Sequence, residues 1–180
     1  MPKINPVTHP EGAAKTILDG VRAKIGMVPN LYATLAHAPA VLGAHLAFTQ
    51  ALAEGGTLGA KDRERIALAV GEANACQYCL SAHTLIGKGA GLSAEEIAAA
   101  RSGQPAEPRD AAIVALARAI VAKKGYAGSE DLAAARAAGL SDGVIVEILA
   151  QVTVNLFTNY ANHLFDTTID FPAVAPAKAA

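Results

Sequence analysis

Helical periodicity is the feature of this chain that most restricts its fold. Near the N-terminus, Ile17, Leu18, Val21 and Ile25 recur at the spacing that places them on one face of a helix. Alanine, which has the highest helix propensity, is the most frequent residue. No segment shows the period-two alternation of apolar and polar residues that a half-buried strand requires. The sequence therefore predicts an all-α protein.

Residues that break or cap helices divide this pattern into separate elements. The first helix is predicted to end at the loop 26–29, Asn30 is placed to cap the second, and Pro39 ends that second helix. The remaining helices are predicted at about 40–54, 61–73, 75–90, 93–101, 110–124, 129–138 and 141–165.

Length and composition set the expected organisation. The 180 residues suffice for one domain with a hydrophobic core, and we expect a single helical domain over residues 1–170 and a disordered tail over 171–180. Hydrophobic residues make up 52% of the chain and charged residues only 17%. Because so little charge is available to cover its surface, we expect the protein to bury part of that surface in an oligomer.

The charge balance argues against some classes of partner. The net charge is −1 and no basic cluster occurs, which disfavours binding to nucleic acid or to anionic membranes. The N-terminal residues lack the apolar core of a signal peptide, and the apolar segment 148–165 carries too many amide side chains for a lipid-facing span. We therefore expect a cytoplasmic protein, in which a cysteine pair is more often catalytic or metal-binding than a structural bridge.

A weak internal repeat has an offset of 48 residues. Residues 67–69 match residues 115–117 as Ala-Leu-Ala, and residues 90–93 match residues 138–141 as Ala-Gly-Leu-Ser. At this offset four residues with reactive side chains align with residues of other types: Glu64, Cys76, Cys79 and His83 with Ala112, Lys124, Ala127 and Asp131. If the two copies share a scaffold, only the first carries reactive groups.

The pair Cys76 and Cys79 is the strongest chemical signal in the sequence. Asn74 and Gln77 have the spacing of a capping box, which predicts that a helix starts just before Cys76. Both thiols would then lie in its first two turns, where free backbone N–H groups and the helix dipole stabilise a thiolate. Cα atoms three residues apart on a helix are about 5 Å from each other, within the range that a disulfide accepts.

A disulfide between these residues would contribute little to stability. It closes a loop of four residues, for which the chain-entropy relation gives about 1.9 kcal/mol, against about 4.7 kcal/mol for a loop of 100 residues. It would also connect a helix only to itself. Reversible redox chemistry is the better explanation for the pair.

His83 is the first candidate acid–base group. It lies seven residues after Cys76 and four after Cys79, so the three side chains fall within an arc of about 60° on the helix. An imidazole there can accept a proton from a thiol or stabilise a thiolate. Helix position favours Cys76 as the thiol of lower pKa, whereas proximity to His83 favours Cys79, so the residues alone leave open which cysteine attacks.

Glu64 is the second candidate. On the preceding helix it falls among apolar residues, whereas the other charged residues share an arc that we expect to be solvated: Lys61, Asp62, Arg65 and Glu72. A carboxylate directed at a core needs a partner, and His83 is a suitable one. The alternative is a glutamate that is merely favoured by the dipole near a helix N-terminus.

Other kinds of cysteine site fit the sequence less well. A thioredoxin-like CxxC normally follows a strand, and haem attachment requires a histidine directly after the second cysteine, where this chain has Leu80. A zinc site would use Cys76, Cys79 and His83 with Glu64 or His163 as the fourth ligand, which is a cramped arrangement on one helix. An inert, buried cysteine pair is a further alternative.

The four residues occur in the order Glu64-x11-Cys76-x2-Cys79-x3-His83. This pattern resembles that of the AhpD-like alkylhydroperoxidases, peroxidase-related members of the carboxymuconolactone decarboxylase superfamily. The resemblance is strongest over residues 60–93. The upstream segment GMVPNLYATLAHAP and the downstream segments LSDGVIVEIL and NLFTNYANH extend it to nearly the whole chain.

The resemblance implies an AhpD-like helical domain with a CxxC at the start of a helix, assembled into trimers or hexamers, that reduces hydroperoxides without a metal or a flavin. It implies that Cys79 attacks the peroxide, that Cys76 resolves the sulfenic acid, and that Glu64 and His83 form a proton relay. Well-known members carry a histidine immediately before the second cysteine, where this chain has Tyr78. The decarboxylases of the superfamily generally lack the cysteine pair, so lactone decarboxylation is not expected.

Three asparagines on the last helix, Asn155, Asn159 and Asn162, form a stripe on one face. We expect them to hydrogen-bond between packed helices or subunits, with a site-lining role for Asn159 or His163 as the alternative.

Two functional hypotheses follow. The first is a thiol peroxidase that an external thiol reductant regenerates. This reductant could be a dithiol on a lipoylated or thioredoxin-like protein, or a small thiol. The second is a non-peroxidatic thiol–disulfide redox sensor or adaptor that uses the same pair. Glu64 and His83 favour the first, because a leaving alkoxide needs a proton whereas disulfide exchange needs only a tuned thiol.

Overall fold

The computed structural model describes residues 1–177, in which every regular element is an α-helix. The all-α fold class is thus confirmed. Nine helices occur in this part of the chain: α1 (Gly12–Ile25), α2 (Asn30–Leu35), α3 (Pro39–Gly55), α4 (Ala60–Ala73), α5 (Gln77–Gly89), α6 (Ala94–Ser102), α7 (Pro108–Ala122), α8 (Ser129–Ala137) and α9 (Asp142–Phe165).

Helices α4 and α9 form the centre of the fold. α4 packs against α5, α6, α7 and α9, and α9 also contacts α2, α3, α5 and α7. Ile66 of α4, Ile113 of α7 and Ile148 of α9 are fully buried in one apolar cluster. A second cluster contains Cys76 and Cys79 together with side chains of α1, α2 and α3. The thiols therefore lie in the interior, next to the central helices.

Two residues of the charged arc of α4, Asp62 and Arg65, are not solvated, contrary to our prediction. Both residues are buried, and Arg65 lies 2.8 Å from the carboxylate of Asp110 and 2.7 Å from that of Glu96. Asp62 accepts hydrogen bonds from Arg109 at 3.0 Å. The reason is that α6 and α7 cover this side of α4, so its charges are neutralised by ion pairs with those helices instead of by water.

The internal repeat corresponds to a structural repeat. Gly91 and Gly139 have φ angles of 90° and 85°, which glycine adopts without strain. In both turns the N–H of the following leucine donates to a carbonyl five residues earlier, Leu92 to Gly87 and Leu140 to Ala135. A serine side chain then caps the next helix, Ser93 on α6 and Ser141 on α9. The reactive groups of the first copy thus stand on a scaffold that the second copy repeats without them.

The C-terminal segment packs on the helical body as far as Ala177, although we predicted a disordered tail from residue 171. The ring of Phe171 contacts Tyr78 edge-on with centroids 5.5 Å apart, and the Val174 N–H donates to Ser81 Oγ at 3.0 Å. Residues 178–180 of that predicted tail lie outside the described residues.

The same segment caps α2, for which we predicted Asn30 as the cap. The Asn30 N–H instead donates to the carboxylate of Asp170 at 2.6 Å, and its side-chain amide donates to the Thr168 carbonyl at 3.0 Å. The cap therefore comes from a residue distant in sequence, which local spacing does not reveal.

Helix α9 passes a length and hydropathy test for a membrane span, and it is the one helix within residues 1–177 that does so. Core helices of globular proteins pass the same test. The amide side chains that weighed against a lipid-facing span, Gln151, Asn155, Asn159 and Asn162, are all buried against the rest of the fold.

Candidate active site

The first turn of α5 positions the two cysteines. We predicted a capping box from Asn74 to Gln77, but Asn74 ends α4, and its side-chain amide donates to Asn159 Oδ1 at 2.9 Å. The N-cap is Cys76 itself, whose Sγ accepts the N–H of Cys79 at 3.4 Å. The CxxC thus lies at the start of a helix as predicted, with a thiol in place of the expected cap.

Both thiols are free and buried, with exposed fractions of 1% for Cys76 and 3% for Cys79. The neighbouring Cys79 thiol lowers the pKa of Cys76 despite its burial, and the Cys79 backbone N–H, His83 and the Asn162 amide add to the effect. The neighbouring Cys76 sulfur and burial raise the pKa of Cys79. The pair therefore loses its first proton much more easily than its second, because a second negative charge would lie directly beside the first.

Two amides from α9 contact the second thiol. The side-chain N–H groups of Asn159 and Asn162 donate to Cys79 Sγ at 3.0 and 3.3 Å. Asn159 is fully buried, and its acceptance of the Asn74 amide fixes its orientation. Of the two residues, only Asn159 was considered for the site, as the less favoured alternative. The third member of the stripe, Asn155, instead donates to the Gln151 carbonyl.

Glu64 and His83 are in contact, as the apolar position of Glu64 predicted. His83 Nδ1 lies 2.8 Å from Glu64 Oε2, and both side chains are largely covered. Burial disfavours the charged imidazolium, but the Glu64 carboxylate outweighs this effect and raises the pKa of His83. Because Glu64 occupies Nδ1, Nε2 is the ring nitrogen left for other chemistry.

A cavity of about 350 Å³ lies over Cys79. Cys79, Tyr78 and His83 line it, and most of the other lining side chains are apolar, among them Leu31 and Phe171. A cavity of about 240 Å³ on the other side of His83 is lined by Glu64, Arg63 and buried amides of α9. His83 therefore stands between an apolar chamber that contains a thiol and a polar chamber that contains its carboxylate partner.

Tyr78 has a packing role at the position where the resemblance places a histidine. Its hydroxyl accepts the Leu31 N–H at 3.2 Å, and burial raises the pKa of its phenol. A phenol that is held neutral and engaged in this way does not replace an imidazole as a proton carrier.

Two further histidines lie apart from the pair of Glu64 and His83. His163, the other site-lining candidate, is exposed and lies in a cavity beside Cys76. His45 is buried between the rings of Tyr32 and Phe157. Within residues 1–177, no group of three or more His, Cys, Asp or Glu side chains has a metal-binding arrangement.

The proximity of the two cysteines predicts that their thiols ionise at different pH values. In reduced protein we expect one thiolate per chain to form below the ordinary cysteine pKa of about 8.5, with the second thiol protonated well above it. Absorbance at 240 nm against pH measures thiolate directly. Denatured protein is the control and should show both thiols titrating together near about 8.5. If both thiols of the folded protein also titrate together near the ordinary cysteine pKa, this prediction is wrong.

Comparison with known proteins gives a family similarity over part of the chain and a fold for nearly all of it. Residues 39–122 match the carboxymuconolactone decarboxylase family. No curated protein matches the chain.

Several solved structures resemble nearly the whole chain. The alkylhydroperoxidase AhpD core of an uncharacterized peroxidase-related protein from Ralstonia eutropha JMP134 is 25% identical, with a TM-score of 0.80 and 93% of each chain covered. An uncharacterized peroxidase-related protein from Silicibacter sp. TM1040 is 20% identical, with a TM-score of 0.81 over 92% of each chain. The debrominase Bmp8 in complex with 2,3,4-tribromopyrrole is 19% identical, with a TM-score of 0.79 over 93% of this chain and 91% of that one. Residues 39–122 are therefore similar to the carboxymuconolactone decarboxylase family, and the chain has the fold of these AhpD-like, peroxidase-related structures.

Proposed function

We propose that the protein is a thiol-dependent peroxidase that reduces organic hydroperoxides through Cys79, Cys76 and a proton relay of His83 and Glu64. The observation that carries the proposal is a free dithiol under an apolar cavity whose wall includes an imidazole paired with a carboxylate. The apolar lining favours an alkyl or aryl hydroperoxide over hydrogen peroxide, because the organic group can be buried there.

The first step requires a thiolate on Cys79. In a singly ionised pair, a proton that passes from Cys79 to the adjacent Cys76 leaves the negative charge on Cys79. The amide donors of Asn159 and Asn162 stabilise the charge there. Cys79, unlike Cys76, lines the cavity that also contains His83.

The thiolate then attacks one oxygen of the hydroperoxide. An S–O bond forms, the O–O bond breaks, and the departing alkoxide takes a proton from the His83 imidazolium and leaves as the alcohol. Cys79 is now a sulfenic acid. Cys76 attacks its sulfur, an S–S bond forms, and the hydroxide that leaves is protonated to water.

An external dithiol completes the cycle by reducing the disulfide and becoming a disulfide itself. We also propose that the protein is cytoplasmic. The cytoplasm supplies the reductants that this cycle needs in reduced form: lipoylated proteins, thioredoxin-like proteins and small thiols.

The competing functions use the same cysteine pair without reducing peroxide. A redox sensor or adaptor would exchange disulfides at the dithiol and would need no relay. One protein of the same fold is a debrominase, and the size of the apolar cavity over Cys79 makes a brominated pyrrole a second substrate to test.

Stopped-flow mixing of reduced protein with cumene hydroperoxide tests the proposal. We expect loss of one hydroperoxide per chain, formation of cumyl alcohol, and a Cys76–Cys79 disulfide that dithiothreitol reverses. Mass spectrometry should detect the loss of two hydrogens between these residues. An unreacted hydroperoxide, together with a disulfide that forms only on exchange with other disulfides, would favour the sensor. Bromide release from 2,3,4-tribromopyrrole in the absence of peroxide turnover would favour the debrominase.

We also propose that the protein is a homotrimer or homohexamer. Large apolar side chains are exposed on α3 and along one line of α9: Val41, Phe48, Val146, Leu149, Phe157, Tyr160 and Leu164. An exposed apolar surface of this extent is typical of an interface between subunits. Light scattering should give three or six times the chain mass of 18.3 kDa. A mass of 18.3 kDa at micromolar concentration would refute the assembly.

A further inference from the structure

We propose that the external thiol attacks Cys76, and that it does so through a second cavity, separate from the one in which the peroxide reaches Cys79. This inference rests on the proposed function and adds the side of the molecule from which the enzyme is regenerated. Cys76 does not line the cavity over Cys79. It lines another cavity of about 340 Å³, formed by the start of α5, the end of α9 and the segment that follows.

The two cavities share a wall. Tyr78 and Asn162 line both of them, and Cys76 and Cys79 lie on opposite sides. This wall is held in place, because the Tyr78 hydroxyl accepts the Leu31 N–H, the Tyr78 ring packs on Phe171, and the Asn162 amide donates to Cys79. A molecule in one cavity therefore reaches one sulfur only.

The chemistry of the second cavity fits a polar thiol. Gln77, His163, Asp166 and Thr167 line it, in contrast to the apolar chamber over Cys79. A cysteine-based thiol, as in glutathione or a thioredoxin-like protein, carries polar groups beside its sulfur that can hydrogen-bond to these side chains.

Exchange at Cys76 also expels the better-stabilised leaving group. The incoming thiolate forms a bond to Cys76 Sγ, the bond between the two protein sulfurs breaks, and its electron pair goes to Cys79 Sγ. That sulfur accepts two amide N–H groups, from Asn159 and Asn162. A more stable leaving thiolate departs faster. A second external thiol then attacks the sulfur of the first and releases Cys76 as a thiolate.

The reverse direction, attack at Cys79, would expel Cys76. In the dithiol the pKa of Cys76 is lowered first by the neighbouring Cys79 thiol, and that thiol does not exist while Cys79 is bonded to sulfur. The departing Cys76 would keep the Cys79 backbone N–H at 3.4 Å and the weaker influence of His83 and Asn162. The two direct amide contacts of Cys79, at 3.0 and 3.3 Å, are shorter and make Cys79 the favoured leaving group.

Two variants, each of which narrows one cavity, distinguish the route of the thiol from the route of the peroxide. Gln77 and Leu85 are both exposed, and each lines one cavity only, Gln77 beside Cys76 and Leu85 beside Cys79. We expect Gln77→Trp to slow reduction of the disulfide by glutathione by about tenfold or more while oxidation by cumene hydroperoxide keeps its rate. Leu85→Trp is the matched control and should slow oxidation and leave reduction unchanged. Circular dichroism verifies that both variants fold.

The reduction arm uses disulfide prepared with diamide, so it can be measured whether or not the protein reduces peroxides. If peroxide fails to oxidise the wild type, the proposed function fails, but the reduction rates still decide this inference. A second measurement uses the wild type: acid quenching during reduction, alkylation and peptide mass spectrometry locate the glutathione adduct. An adduct on Cys76 supports the inference. An adduct on Cys79, or equal reduction rates for wild type and Gln77→Trp, would overturn it.

Discussion

Replacing Cys79 by serine should abolish hydroperoxide reduction, lowering the rate by at least about 10³-fold, because the attacking sulfur is removed. Replacing Cys76 by serine should leave the first chemical step in place and block only formation of the disulfide. This variant is therefore expected to consume one hydroperoxide per chain and stop as a sulfenic acid. Stopped-flow consumption of cumene hydroperoxide, with dimedone trapping and mass spectrometry, measures both outcomes.

The structure makes this test decisive, because some properties of the pair favour Cys76 as the attacking sulfur and others favour Cys79. Cys76 has the lowered pKa, whereas Cys79 has the amide donors and the cavity that contains His83. A dimedone adduct on Cys79 in Cys76→Ser would show that position relative to the peroxide decides which sulfur reacts. An adduct on Cys76 in Cys79→Ser, with a rate near that of the wild type, would reverse the assignment.

The helices were predictable because their signals are local. Apolar spacing, Pro39 and the capping serines Ser93 and Ser141 place most boundaries within one or two residues of the observed ones. The predictions failed where the partner of a residue is distant in sequence. Asp170 caps α2, and α6 and α7 cover the charged arc of α4 and turn Asp62 and Arg65 into buried ion pairs.

In the candidate site, too, local features could be predicted from the sequence and contacts between distant residues could not. Glu64 and His83 could be paired from the sequence, because a carboxylate on an apolar face needs a partner and His83 was the protonatable one nearby. The amides of Asn159 and Asn162 could not be assigned to Cys79, because their stripe on α9 gives a face of a helix and not what packs against it. The wall between the two cavities depends on Tyr78, Phe171 and Asn162 meeting in space, for which the sequence contains no signal.

The contact of Glu64 with His83 predicts how the relay responds to mutation and pH. Glu64→Gln removes the charge that raises the pKa of His83, so less imidazolium is present at neutral pH to protonate the leaving alkoxide. We expect this variant to fold and to react about 10²-fold more slowly with cumene hydroperoxide in single turnovers. In the wild type, proton donation is lost as pH rises through the raised pKa of His83. In Glu64→Gln the same loss should occur at lower pH.

His83→Ala should cost a similar factor of about 10², and the double variant should be little slower than either single variant, because the two residues act as one unit. Glu72→Gln is the matched control: it removes another carboxylate of α4, one paired with Arg101 at 2.8 Å, and should leave the single-turnover rate unchanged. Losses that multiply in the double variant would mean that Glu64 and His83 act independently. A wild-type rate in Glu64→Gln would reduce Glu64 to a residue that merely packs beside His83.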